Sequence, residues 1–117
     1  MSLEATLYSL LGPLVSGRCY PDVSPDGAAF PLIIYQQVGG QAVDYVEAKV
    51  ADKDNARVQV HVWSKNRLEA SQIARSARVA LVEGDAKATT LGAAVALYDE
   101  ALKLYGSRQD FSVWYAP

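Results

Sequence analysis

Hydrophobic residues at the start of the chain have the spacing of a helix. They recur at intervals of three and four residues, at Leu3, Leu7, Leu10, Leu11 and Leu14, as on one face of a helix. Ser2 is placed to cap this helix, and Glu4 adds a favourable negative charge to its first turn. Gly12 and Pro13 interrupt the pattern, so the helix is predicted to end near Leu11, with Gly17 available as a terminator.

The next segment, residues 17–31, contains three prolines and two glycines, at Pro21, Pro25, Pro31, Gly17 and Gly27. This composition is incompatible with a regular element and predicts an ordered loop.

Two strands are predicted after this loop. The run from Leu32 to Val38 is β-branched and aromatic and ends at Gly39 and Gly40, which are strong boundary signals. Arg57–Trp63 alternates strictly, with valines on one face. Between them, Gln41–Lys53 keeps period two only loosely, so it is either a strand or an arm.

A second helix is predicted to follow. Ser64 or Asn66 can cap it, Gly84 ends it, and its apolar stripe consists of Leu68, Ile73, Ala77, Ala80 and Leu81. The last third has apolar stretches at Leu91–Tyr98 and Phe111–Tyr115, separated by charged residues and a turn at Gly106 and Ser107. Its composition allows helix or strand, and the aromatic ending favours strands.

These elements predict an α+β fold, with a mixed, mainly antiparallel sheet and two helices packed on one face. A length of 117 residues suits a single domain over residues 1–117. The formal charge is −2, with no stripe of Lys and Arg, so direct binding of nucleic acid is not expected. Apolar runs are shorter than the ~20 residues of a membrane span, and no membrane association or signal sequence is predicted.

Candidate chemistry is sparse. His61 is the only histidine and Cys19 the only cysteine, so neither a multi-histidine metal site nor an internal disulfide is possible, and a reducing compartment is favoured. A Cys19–His61 dyad has no surrounding nucleophile motif. Gly39 and Gly40 lack the remainder of a phosphate loop, and the carboxylates lack calcium-loop spacing. We therefore predict no catalytic residue, cofactor or metal.

Three segments carry a family resemblance: GRCYPDVSPDGAAFPLIIYQQVGG at Gly17–Gly40, RVQVHVWS at Arg57–Ser64 and RQDFSVWY at Arg108–Tyr115. Together, and in this order, they resemble the tail completion protein family of long-tailed bacteriophages and prophages. Two features depart from that pattern. His61 stands where the family leads us to expect an acidic or small polar side chain, and residues 86–104 match nothing in it.

The resemblance implies a small α+β protein without enzymatic activity. It would complete the head-proximal end of the tail, where the tail tube meets the head connector. There it would be a subunit of a ring, whereas the isolated protein would be a monomer. It implies assembly in the host cytoplasm and a final place in the virion.

A ring subunit needs loops and edges for its contacts. The loop from Arg18 to Pro31 and the segment from Gly39 to Ala56 are the candidates. Trp63 and Trp114 lie near strand ends, which suits the rim of the core or an interface. The predicted partner contacts are Arg18, Tyr20, Asp22, Trp63 and Trp114.

Three alternatives stay open. The first is another assembly role in the same particle, as a tail-terminator or connector subunit. The second is a small ligand-binding or catalytic domain that uses His61, Tyr35 and a carboxylate. The third is a toxin–antitoxin or secretion-tube partner derived from phage parts.

Overall fold

The first helix begins and ends where its sequence predicts. The computed structural model describes residues 2–117, and helix α1 spans Leu3–Leu11. The Ser2 hydroxyl accepts a hydrogen bond from the Ala5 amide at 3.1 Å, and Leu3, Leu7 and Leu11 are buried. A 3-10 turn at Gly12–Val15 extends the helix, because a proline is tolerated in a first turn. The chain then reverses through Ser16 and Gly17, both with positive φ.

Six strands form one mixed sheet, in which all pairings except one are antiparallel. Strand β3 is central and pairs with β2 on one side and β6 on the other. Strand β1 is parallel to β2 and forms one edge, while β4 and β5 both pair with β6. The strands are β1 Cys19–Pro21, β2 Leu32–Gln37, β3 Asp54–Ser64, β4 Thr89–Thr90, β5 Val95–Asp99 and β6 Leu104–Tyr115.

The core lies between this sheet and the helices. Val58, Val60 and Val62 of β3 point to the helical face and are almost fully buried, as the alternation predicted. Phe111 and Val113 of β6 join them in the same cluster. Burial of apolar area at this interface is the main source of stability, at about 25 cal/mol per Å².

Helix α2, Arg67–Glu83, begins at the predicted cap and ends at Gly84. The Asn66 side chain accepts a hydrogen bond from the Glu69 amide at 3.0 Å. One residue of the predicted apolar stripe is wrong, because Leu68 is 66% exposed. Ala70, which lies two residues later on the other side of the helix, is buried instead, together with Ala77 and Leu81.

Three further details correct the sequence prediction. Residues 19–21, predicted as loop, form β1, because pairing with β2 orders a stretch too short to carry a pattern of its own. Gly106 and Ser107, predicted as a turn, lie inside β6. Gly106 is needed there because the Trp63 ring packs against it, and an added Cβ would come within 2.7 Å of ring atoms. The turn before β6 lies at residues 100–103 instead.

Residues 39–53, here called the arm, protrude from the β2–β3 end of the sheet. The arm contains a single isolated bridge, between Asp44 and Val50, so it is not a regular strand. The molecule measures 52 × 26 × 26 Å, and its radius of gyration is 15.0 Å. A compact chain of this length has a radius of gyration of about 13 Å, and the exposed arm is consistent with the difference.

The predicted fold class is confirmed. The structure is α+β, with a mixed, mainly antiparallel sheet and both helices in one hydrophobic cluster on the same face.

Candidate assembly surfaces

The base of the arm is fixed to the sheet by one buried side chain. The Asn55 Oδ1 atom accepts a hydrogen bond from the Gln41 amide at 3.0 Å, and its Nδ2 atom donates to the Ser112 hydroxyl at 2.8 Å. Gly40 passes so close to the Asn55 carbonyl that a Cβ there would overlap it. Asn55 therefore holds the arm against both β3 and β6.

Beyond this base, the arm contacts mainly itself. Tyr45 donates from its amide to the Lys49 carbonyl and from its hydroxyl to Asp52. The apolar side chains Val46 and Val50 are 104% and 76% exposed. Exposed apolar residues on a protruding segment are typical of a contact surface.

The sheet face opposite the helices, here called the open face, carries a polar network on β3 and β6. The Arg57 Nε atom donates to Asp110 Oδ2 at 2.8 Å, and Gln59 donates to Asp110 Oδ1 at 3.1 Å. His61 Nε2 lies 2.7 Å from Gln59 Oε1 and can donate to it. The network links four side chains of two strands.

His61 is half-buried in this network. Burial lowers the pKa of its imidazole below the ordinary value, Arg108 lowers it further, and Asp110 acts in the opposite direction. The neutral form is therefore favoured at neutral pH. His61 is thus part of a polar network, and its hydrogen-bond partner Gln59 lies two residues away on the same strand.

The residues of the catalytic alternative are not brought together. In the register of the sheet, His61 pairs with Ile34 on the open face, while Tyr35 pairs with Val60 on the helical face. Cys19 is also on the helical side, where burial raises the pKa of its thiol to about 11. Burial likewise raises the pKa of Tyr35. The sheet thus separates His61 from both Cys19 and Tyr35.

The two predicted tryptophan contacts lie at opposite ends of the β3–β6 ribbon. Trp63 pairs with Gly106, and Trp114 pairs with Asn55 at the base of the arm. At about 3.3 Å per residue they are more than 20 Å apart. Trp63 is half-buried, whereas Trp114 is 48% exposed beside the arm.

The other three predicted contacts lie on the β1 edge. Arg18 Nε donates to the Pro31 carbonyl at 2.8 Å, so this side chain closes the loop at residues 18–31. Tyr20 is half-buried in β1, and Asp22 is exposed with φ of 66°. The structure therefore groups Arg18, Tyr20 and Asp22 at one edge of the sheet, away from Trp114.

A further surface was not foreseen from the sequence. A groove of about 250 Å³ lies between α2 and the segment leading into β5, and we call it the arginine groove; its lining includes Arg67, Ala74, Arg75, Arg78, Ala94 and Ala96. The volume is below the 300–1,000 Å³ that is usual for small-molecule sites. In the sequence, Arg75 and Arg78 have the pattern of ordinary solvent-exposed helix residues, and nothing marks them as part of a groove.

Among residues 2–117, no group of three or more His, Cys, Asp and Glu side chains is placed to hold a metal ion. Within the same range, neither helix combines the length and apolarity required to cross a bilayer.

Comparisons with known proteins agree with the sequence resemblance. The model of a family described as "Tail completion protein gp17" matches residues 5–116. A chain from a solved structure titled "Virion of native gene transfer agent (GTA) particle" is similar, with a TM-score of 0.54 and 16% identity; the similarity covers 99% of this chain and 96% of the other. At that identity the likeness shows a shared fold. A search of curated proteins finds no match.

Proposed function

Because the chain belongs to the tail completion protein gp17 family, we propose that it is a non-enzymatic subunit completing the head-proximal end of a phage tail. The family consists of structural phage tail proteins. The observation that carries the proposal is that the match spans residues 5–116, nearly the entire chain. A local motif could be shared by unrelated proteins, but a chain-wide match preserves the whole domain.

The proposed form in the particle is a ring between the tail tube and the head connector. A closed ring joins two different patches of each subunit head to tail. The arm and the β1 edge supply candidate patches that lie at separate places on this molecule. An isolated monomer that assembles only on the tube would fit contacts made by small exposed segments.

The proposed absence of catalysis is supported by the arrangement of polar side chains. His61 contacts Gln59, which donates to Asp110. Cys19 is buried and its thiol pKa is raised, which disfavours the reactive thiolate. The proposal places the protein in the host cytoplasm during assembly and in the virion afterwards, without direct contact with nucleic acid or membrane.

Electron microscopy of particles from a lysogen that lacks this gene tests the proposal. We expect filled heads beside unjoined tails, and restoration of joined particles when the gene is supplied on a plasmid. Tails of irregular length would indicate the tail-terminator alternative. Normal infectious particles from the deletion strain would contradict a role in tail completion.

A further inference from the structure

The arm has charged side chains without partners in its own chain. Asp44 and Glu47 are exposed near its tip, beside Val46. Only two ion pairs occur among residues 2–117, Arg57–Asp110 and Lys103–Glu100. The tip of the arm therefore presents two carboxylates around an exposed apolar side chain, and the exposed lysines of the arm, Lys49 and Lys53, follow on the side that returns to β3.

The arginine groove has the complementary character. Arg75 and Arg78 are exposed on its rim, and neither forms an ion pair with any residue between 2 and 117. No acidic residue contributes to its lining, and Ala74, Ala94 and Ala96 supply small apolar surfaces. The groove is thus basic at its rim and open to an apolar side chain.

Arg67 makes one wall of the groove rigid. Its guanidinium donates to the carbonyl oxygens of Gly106 and Leu97 and lies 5.2 Å from the centre of the Tyr105 ring. This arginine is occupied by contacts within the chain, whereas Arg75 and Arg78 are not. A wall that is already ordered reduces the entropic cost of docking.

The arm and the groove lie far apart on one molecule. The groove reaches Gln109 of β6, while the arm leaves the sheet beside Tyr115, which pairs with Asp54. Six residues of strand separate these points by about 20 Å. The arm is also on the β2 side of the sheet and the groove on the β5 side. Two distant complementary patches are what a head-to-tail contact between copies requires.

We propose that the arm of one copy docks in the arginine groove of the next copy, with Asp44 and Glu47 facing Arg75 and Arg78. The Val46 side chain contacts the alanines of the groove. This inference rests on the proposed ring, and it makes the arginine groove, in place of the β1 edge, the patch that receives the arm. Opposite charges across the contact fix its register and disfavour other pairings.

Cross-linking in assembled particles tests the contact directly. The variant carrying Val46→Cys and Ser71→Cys places one thiol on the arm and one on the groove lining. Particles made with it are treated with a short bis-maleimide and analysed on a denaturing gel. We expect a ladder of multimers, because each copy joins two neighbours. The variants with only one of the two substitutions are the controls, and buried Cys19 stays unreactive.

The outcomes distinguish a failure of the docking from a failure of the proposed tail role. A ladder supports the docking, whereas a product that stops at the dimer would contradict the head-to-tail arrangement. Protein present in the particles without any cross-link would overturn the docking and leave the proposed tail role intact. Absence of the wild-type protein from the same particles would overturn both.

Charge exchange provides an independent test. We expect Asp44→Arg with Glu47→Arg, or Arg75→Glu with Arg78→Glu, to lower infectious yield by at least about tenfold. The chain carrying all four substitutions should regain near wild-type yield, because each copy then meets a matching neighbour. Lys65→Glu with Lys87→Glu is the matched control for altered charge and should have no effect. Failure of the fourfold variant to recover would contradict the proposal.

Discussion

The sheet and the arm of this protein differ in where their apolar side chains lie. Strand β3 pairs with a strand on each side, and its valines are buried against the helices. The arm is exposed along almost its whole length and is bonded chiefly to itself beyond Gln41. One region buries apolar side chains in its own chain, and the other presents them to solvent.

We expect this difference to separate the residues that stabilise the fold from those that act in the proposed assembly. A fold is stabilised by burial of apolar area and by hydrogen bonds within the protein. Both are concentrated in the sheet. Substitutions in the arm should therefore leave the fold intact and lower the yield of assembled particles. Changes in the sheet should act first on the fold. The predictions below test that division.

The largest effect is expected in the core. Phe111 is 1% exposed and packs in the central cluster, so Phe111→Ala should lower the free energy of unfolding by about 3–5 kcal/mol. Urea unfolding followed by circular dichroism measures it. The control Leu68→Ala, at a position 66% exposed, should change stability by less than about 0.5 kcal/mol. Equal effects of the two substitutions would contradict the assigned core.

A smaller effect is expected where the arm meets the sheet. Gly40 has φ of 143°, and an added Cβ would overlap the Asn55 carbonyl, so Gly40→Ala should cost about 1–3 kcal/mol. Gly39 also has a positive φ, but nothing lies within 4 Å of its Cβ position. Gly39→Ala should therefore cost less in the same unfolding assay. The reverse order would show that the arm base is not packed as described.

The sequence is informative where side chains face two different environments. The alternation of Arg57–Trp63 predicted β3, and the glycines after Val38 predicted the end of β2 to within one residue. The segment at residues 41–53 stayed ambiguous because both of its sides face solvent, so no alternation is imposed on Val43, Tyr45 and Val50. Exposure of an arm is a property of the whole fold and cannot be deduced from local spacing.

Features that depend on distant partners were missed for the same reason. Strand β1 exists because β2 lies beside it, and Gly106 stays inside β6 because Trp63, far away in sequence, covers it. The arginine groove is created by α2 and the approach to β5 together. The predicted contacts Arg18, Tyr20, Asp22, Trp63 and Trp114 remain predictions, and the structure divides them among three separate locations.

A still smaller effect is expected from His61. Its folded pKa is lowered, mainly by burial, so the unfolded chain binds a proton more readily. Its contribution to stability is therefore present above pH about 6.5 and is lost as pH falls through the lower folded pKa. His61→Gln should reduce this loss. The only histidine of the chain can be titrated by proton NMR, and a folded pKa above that of the unfolded chain would contradict the sign.

No stability effect is expected at the tip of the arm. Val46 is fully exposed, so Val46→Ser should change the free energy of unfolding by less than about 0.5 kcal/mol. Infectious yield in the plasmid complementation assay should fall nevertheless, because the substitution removes an apolar contact from the proposed docking surface. An unchanged yield would show that Val46 does not take part in the contact.

Shortening the arm tests most directly whether the sheet stabilises the fold while the arm mediates assembly. Residues 42–52 are replaced by a short Gly-Ser linker, which retains Gln41 and its bond to Asn55. The account predicts a cooperatively folded protein whose free energy of unfolding is within about 1 kcal/mol of the wild type, together with filled heads and unjoined tails in the complemented deletion strain. Joined, infectious particles at the wild-type yield would contradict the claim that this protein assembles through its arm.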